Sequence, residues 1–117
     1  IVRGSKYSTN YDERCVNDAK EIMLLKEIRP NIMIDCSHGN SCKDYRNQID
    51  VIRYCREKLM KKRDFVMGFM IESNLREGRE KLVFGEADKL KWGVSITDSC
   101  VNLNTTRDMI ELLYNIL

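Results

Sequence analysis

His38, Glu72 and Asp98 stand out by position: each closes or follows a short apolar run, and 34 and then 26 residues separate them. Those intervals are about one strand–helix repeat long. Side chains spaced in this way converge on one rim of a sheet although they are distant in sequence. One imidazole and two carboxylates make a hard, mainly oxygen donor set, suited to Mn²⁺, Fe²⁺, Co²⁺ or a similar divalent ion more than to structural zinc. Three protein donors also leave coordination positions for a substrate. Taken singly, His38 is one loop histidine, and Glu72 and Asp98 are what helix caps and turns normally use. Their common register at strand ends is what raises the metal-site reading.

Arg3 follows an apolar pair, Ile1-Val2, that reads as the end of an earlier strand. Its guanidinium would then share the same rim and suit a phosphate or carboxylate. Lys43, after the His38 turn, reads more simply as a surface lysine. Cys36 and Cys100 flank the rim in apolar settings, where a buried, inert thiol is the default.

The elements that must position these groups alternate between amphipathic stretches and apolar runs. Residues 12–28 carry Val16, Ala19, Ile22, Met23 and Leu25 at helical spacing, with Asp12 and Glu13 where the helix dipole favours carboxylates and Pro30 as the stop. Residues 31–36 form a near-continuous apolar run, the signature of a strand covered on both faces. A polar turn, 37–41, leads to a helix over 43–62 with Tyr45, Ile49, Ile52, Cys55 and Leu59 on one face. A second strand over 65–71 ends at Glu72. The loop that follows, 73–93, is long, polar and broken by Gly78, Gly85 and Gly93, and loops of that length usually serve a function. A third strand is predicted over 94–98. The last helix is predicted over 108–117, with Met109, Ile110, Leu112, Leu113 and Ile116 inward and Thr105 as a cap.

This order fits an α/β fold, either a doubly wound sheet or part of a (β/α)8 TIM barrel. Chemistry-bearing residues at successive strand ends favour the barrel, whose active sites sit at the C-terminal ends of its strands. No glycine-rich dinucleotide turn or phosphate-binding P-loop occurs to favour the alternative.

Composition removes other classes of partner. Among 117 residues, 20 Lys and Arg against 18 Asp and Glu give a net charge of +2, spread along the chain, so no nucleic-acid footprint is present. No apolar run approaches the roughly 20 residues that span a bilayer, and a soluble, cytoplasmic chain with no membrane partner is expected. Five cysteines without C-x-x-C spacing argue for a reducing compartment. A start at Ile1-Val2-Arg3, inside an apolar pair, is the pattern expected of the C-terminal part of a longer protein.

The block Asn31-Ile32-Met33-Ile34-Asp35-Cys36-Ser37-His38-Gly39-Asn40-Ser41 resembles type I 3-deoxy-D-arabino-heptulosonate-7-phosphate (DAHP) synthase, the first enzyme of the shikimate pathway. Three further blocks resemble the same family in the family's order. They are Arg3-Gly4 with Asn10-Tyr11, then residues 68–75 with Glu77-Gly78, then residues 92–100. The resemblance implies that His38, Glu72 and Asp98 are three of four metal ligands, with His38 catalytic as a ligand, and that Arg3 is one of the arginines binding phosphoenolpyruvate. It also implies the activity, condensation of phosphoenolpyruvate with erythrose 4-phosphate and water to give DAHP and phosphate. An aromatic amino-acid effector and a homo-oligomer go with the full-length family enzyme.

The chain departs from the family pattern at Ser5-Lys6-Tyr7-Ser8-Thr9, at Cys42, and at Arg79-Glu80, where the family usually has Asn-Gln. A whole barrel takes about 250 residues, so residues 1–117 are expected to be the C-terminal portion of a single barrel domain, its last three to four β/α units. Alone they should be inactive. The competing expectations are a non-catalytic fragment or pseudo-enzyme serving as an assembly partner, and a related metal-dependent synthase acting on another sugar phosphate.

Overall fold

A computed structural model describes residues 1–59 and 65–114. Within them the chain runs α1 (Glu13–Leu25), β1 (Ile32–Asp35), α2 (Gln48–Lys58), β2 (Val66–Met70) and α3 (Leu103–Tyr114). β1 and β2 pair in parallel, Ile34 beside Phe69 and Asp35 beside Met70, with one register irregularity between Ile32 and Met33. α2 is the crossover, as a parallel pair requires. Val2 bridges Ile34 in parallel on the other edge of β1, so the apolar pair at the start of the chain does lie along the sheet. The architecture is mixed α/β around a small parallel sheet.

The core forms where the apolar faces meet. Ile32 and Ile34 from β1 and Cys36 just past it, Val51, Ile52, Cys55 and Leu59 from α2 and its end, Val16 from α1 and Met109 from α3 are all buried. The helical faces read from the sequence are present but narrower. Ile22 and Leu25 on α1 and Ile110 on α3 are 60%, 81% and 55% exposed, because each helix turns only part of its apolar stripe toward the sheet. Ile116 lies outside the described residues.

Helix boundaries differ from the pattern for local reasons. α1 starts as expected, with Asp12 accepting from the Cys15 N–H at 3.1 Å. It stops well before Pro30, because Glu27 takes a left-handed φ of 55°. The Glu27 and Ile28 N–H groups then cap the Leu24 and Met23 carbonyls, a Schellman arrangement without its usual glycine. α2 begins at Gln48 rather than at Lys43, since Cys42 and Lys43 both have positive φ and a single 3-10 turn, Tyr45–Asn47, intervenes. The predicted extension to Lys62 lies outside the described residues. α3 starts five residues earlier than expected: Asn102, not Thr105, is the cap, and its Oδ1 accepts from the Thr105 N–H at 2.9 Å. Its predicted end, 115–117, is likewise outside the described residues.

The predicted third strand, 94–98, does not form a regular strand. Ser95 makes one isolated parallel bridge with Arg79, and then its Oγ accepts the Thr97 N–H at 3.2 Å. That side-chain bond takes a ladder donor out of use and turns the backbone. Ile96 is 47% exposed. Among the described residues, no helix is long and apolar enough to cross a membrane.

Candidate metal centre

His38 sits on the turn after β1 in a left-handed conformation, φ 48°, which few non-glycine residues adopt. The turn is held on every side. The His38 carbonyl accepts from the Lys43 N–H at 3.0 Å and from the Ser41 hydroxyl at 3.2 Å. The buried Asn40 donates to the Asp35 carbonyl at 2.9 Å and to the Val2 carbonyl at 3.2 Å, and accepts from the Asn10 N–H at 2.8 Å. Asn10 in turn accepts from the Gly4 N–H at 2.7 Å.

These bonds bring the Arg3 segment against the His38 turn, and two glycines allow the approach. A Cβ on Gly39 would stand 2.5 Å from the Ser5 backbone N and O, and one on Gly4 would stand 2.6 Å from the Gly39 carbonyl carbon. Arg3 itself receives the Gly39 N–H on its carbonyl at 3.1 Å. Its position beside His38 is therefore a backbone property.

Glu72 lies two residues past β2. Its backbone is clamped by Gln48, whose fully buried amide accepts from the Glu72 N–H at 2.9 Å and donates to the Glu72 carbonyl at 3.1 Å. Asp98 is held more loosely: its side chain is 61% exposed, and the Cys100 thiol donates to its carbonyl at 3.4 Å.

The three side chains converge. His38 Nε2 lies 3.7 Å from Glu72 Oε1 and 3.6 Å from Asp98 Oδ2, and one donor atom from each residue falls within 4.8 Å of the others. Donors about 2.0–2.2 Å from a common ion stand roughly 3.0–3.5 Å apart, so small side-chain adjustments bring this set to bonding geometry. The donor chemistry also fits: Nε2 faces the carboxylates while Nδ1 is occupied elsewhere, 2.8 Å from Asp35 Oδ2.

His38 and Asp98 line a cavity of about 630 Å³ with four cationic side chains, Arg3, Lys6, Lys43 and Arg79. Cations gathered on one concave wall draw anions to it, and a phosphate or carboxylate can sit beside the carboxylate cluster only with such neutralisation. Lys43, read from the sequence as a plain surface lysine, is exposed but belongs to this wall. Arg79 reaches it from the long loop, at one of the positions where the sequence departs from the pattern it resembles. Cys36 is buried as expected, its thiol pushed up by desolvation, and Cys100 is buried with its thiol raised for the same reason.

Asp35, Gln48, Asn40 and Asn10 form the frame of the site, and sequence reading missed their roles. A signal existed for Asp35. A carboxylate inside an otherwise apolar strand, three residues before the histidine, must have a partner.

The model of the DAHP synthetase I family matches residues 1–111. The chain belongs to this family. Among curated proteins, it is 46% identical over 117 residues to the tyrosine-inhibited phospho-2-dehydro-3-deoxyheptonate aldolase of Candida albicans, covering 97% of this chain and 31% of that protein. It is 40% identical to the phenylalanine-inhibited enzyme of Saccharomyces cerevisiae, covering 97% and 32%. Among solved structures, the phospho-2-dehydro-3-deoxyheptonate aldolase of Francisella tularensis superposes with a TM-score of 0.88 at 36% identity, over 97% of this chain and 32% of that one. The chain spans about a third of the length of these relatives.

Proposed function

We propose that residues 1–117 are the C-terminal portion of a DAHP synthase barrel domain, the last three to four units of a (β/α)8 barrel. The complete enzyme condenses phosphoenolpyruvate with erythrose 4-phosphate and water to give DAHP and phosphate, in the cytoplasm. The observation that carries this reading is the meeting of His38 Nε2 with the Glu72 and Asp98 carboxylates at 3.7 and 3.6 Å on a cationic cavity wall that includes Arg3. Family membership supports the reaction class, and the parallel β1–α2–β2 unit with donors beyond its strand ends supports the barrel reading.

His38, Glu72 and Asp98 would hold a divalent ion such as Mn²⁺, Fe²⁺ or Co²⁺. When bound, such an ion supplies Lewis-acid polarisation of the aldehyde carbonyl. Arg3 holds the phosphate or carboxylate of phosphoenolpyruvate by paired charge-assisted hydrogen bonds and orients its C3 toward that carbonyl. The new C–C bond joins C3 to the aldehyde carbon, water adds at C2, and inorganic phosphate leaves from C2. Lys6, Lys43 and Arg79 keep the wall positive and favour entry of two phosphorylated substrates.

The Candida and Saccharomyces relatives are named for inhibition by tyrosine and phenylalanine. An aromatic amino-acid effector and a homo-oligomeric assembly belong to the same proposal for the full-length enzyme. The 117 residues alone carry three donors and one substrate arginine, and they should show no turnover.

Two substitutions in the full chain test the reading. His38→Ala should weaken Mn²⁺ binding on the order of 100-fold or more and abolish DAHP formation. Arg3→Ala should raise the KM for phosphoenolpyruvate on the order of 10- to 100-fold with metal affinity nearly unchanged. Metal affinity equal to wild type in His38→Ala removes the triad from the mechanism.

A further inference from the structure

Asp35, the last residue of β1, is 1% exposed and flanked in sequence by Ile34 and Cys36, both fully buried. An apolar side chain would pack there at far lower desolvation cost. The carboxylate instead has three neighbours. Oδ1 accepts the Ser37 N–H at 2.8 Å, Oδ2 lies 2.8 Å from His38 Nδ1, and the same Oδ2 lies 3.8 Å from Arg3 Nε. We propose that Asp35 is a positioning residue that sets which nitrogen of His38 faces Glu72 and Asp98 and ties that choice to the placement of Arg3.

The two sides of the His38 ring compete for one proton. A neutral imidazole carries N–H on one nitrogen and a lone pair on the other. Nε2 faces two carboxylate oxygens, at 3.7 and 3.6 Å, and by themselves those acceptors would draw the proton to Nε2 and leave no lone pair for an ion. Asp35, closer at 2.8 Å and held rigid by Ser37, draws it to Nδ1. The Nε2 lone pair then points into the candidate metal centre. Arg3 shares the Asp35 oxygen at longer range and more exposed, so its dependence on Asp35 is the weaker of the two.

This inference rests on His38 being a metal ligand, and the experiment separates the two claims. In the full chain, Asp35→Asn keeps the side-chain size and an oxygen for the Ser37 N–H but can turn an NH₂ group toward Nδ1. Mn²⁺ titration of the metal-free variant, read by the signal of free Mn²⁺, should show affinity weakened about 10- to 100-fold. With Mn²⁺ saturating, the KM for phosphoenolpyruvate should rise a few-fold. In ¹⁵N-histidine spectra of the metal-free protein, the His38 signal, assigned by its loss in His38→Ala, should show the Nδ1–H form in wild type and the Nε2–H form in Asp35→Asn. Unchanged Mn²⁺ affinity and tautomer in Asp35→Asn, with affinity lost in His38→Ala, overturn the role of Asp35 and leave the triad standing. Wild-type affinity in His38→Ala overturns the triad itself. The wild-type spectrum decides even where the variant does not fold, because an Nε2–H form there overturns the proposal.

Discussion

The two sides of the candidate site are built in opposite ways. Around His38, the segments 1–10 and 31–48 are joined by hydrogen bonds between buried and half-buried groups: Asn40 alone ties Val2, Asp35 and Asn10 together. Around Asp98, the segments 73–80 and 93–101 meet through isolated bridges, Ser73 with Val101, Gly78 with Cys100 and Arg79 with Ser95. Between them Phe84 and Trp92 stand 103% and 75% exposed. One side has its geometry fixed by polar contacts around the buried Asp35 and Asn40, where leaving a partner unmade is costly. The other carries Asp98, 61% exposed, on an irregular stretch that follows the long loop. The His38 side is therefore the more closely held of the two.

That contrast can be broken first where it is strongest. Gly39→Ala places a Cβ 2.5 Å from the Ser5 backbone, and neither backbone can yield without moving Arg3 or His38. We expect a loss of roughly 2–3 kcal/mol in denaturant unfolding of the full chain, with metal and phosphoenolpyruvate binding impaired together. Gln48→Leu keeps the buried volume but leaves the Glu72 N–H without its side-chain acceptor. It should cost about 2 kcal/mol and weaken Mn²⁺ binding while leaving phosphoenolpyruvate binding nearly intact. Equal damage to both ligands would show that Glu72 is not separately held.

Asp12→Ala removes the cap of α1 and should cost about 1 kcal/mol. Its effect should depend on pH with a definite sign. Hydrogen bonds from Cys15, the side chain first and then the backbone, hold the Asp12 carboxyl below its ordinary value when folded. The cap's contribution is therefore full above the unfolded carboxylate range, near pH 4, and is lost as pH falls through the lower folded value. Wild type and Asp12→Ala should converge in stability under acid, which melts at several pH values would record. Smallest of all, Phe84→Ser should change stability by less than about 0.5 kcal/mol. A larger loss in the full chain would mean that another part of the protein covers Phe84.

Much of the fold was legible from periodicity. The alternation of helical faces and apolar runs is local information, and β1, β2 and the three helices follow it closely. Helix ends were less legible, since Glu27, Cys42 and Lys43 enter the left-handed region against their residue type under tertiary and turn constraints. The stretch 94–98 has strand composition, yet a strand exists only where a neighbour accepts its ladder, and Ser95 diverts that ladder into a turn.

By itself, the amino-acid sequence determined the family, the parallel α/β unit and the identity of His38, Glu72, Asp98 and Arg3 as the groups to watch, because motifs and 3.6- and 2-residue periods are written along one chain. Only the tertiary structure decided that Asp35 faces His38 and Arg3 at once, that Gln48 grips Glu72, and that Arg79 joins the cavity wall. A buried polar side chain takes its role from whatever surrounds it, and that partner is set by packing across the chain rather than by spacing along it.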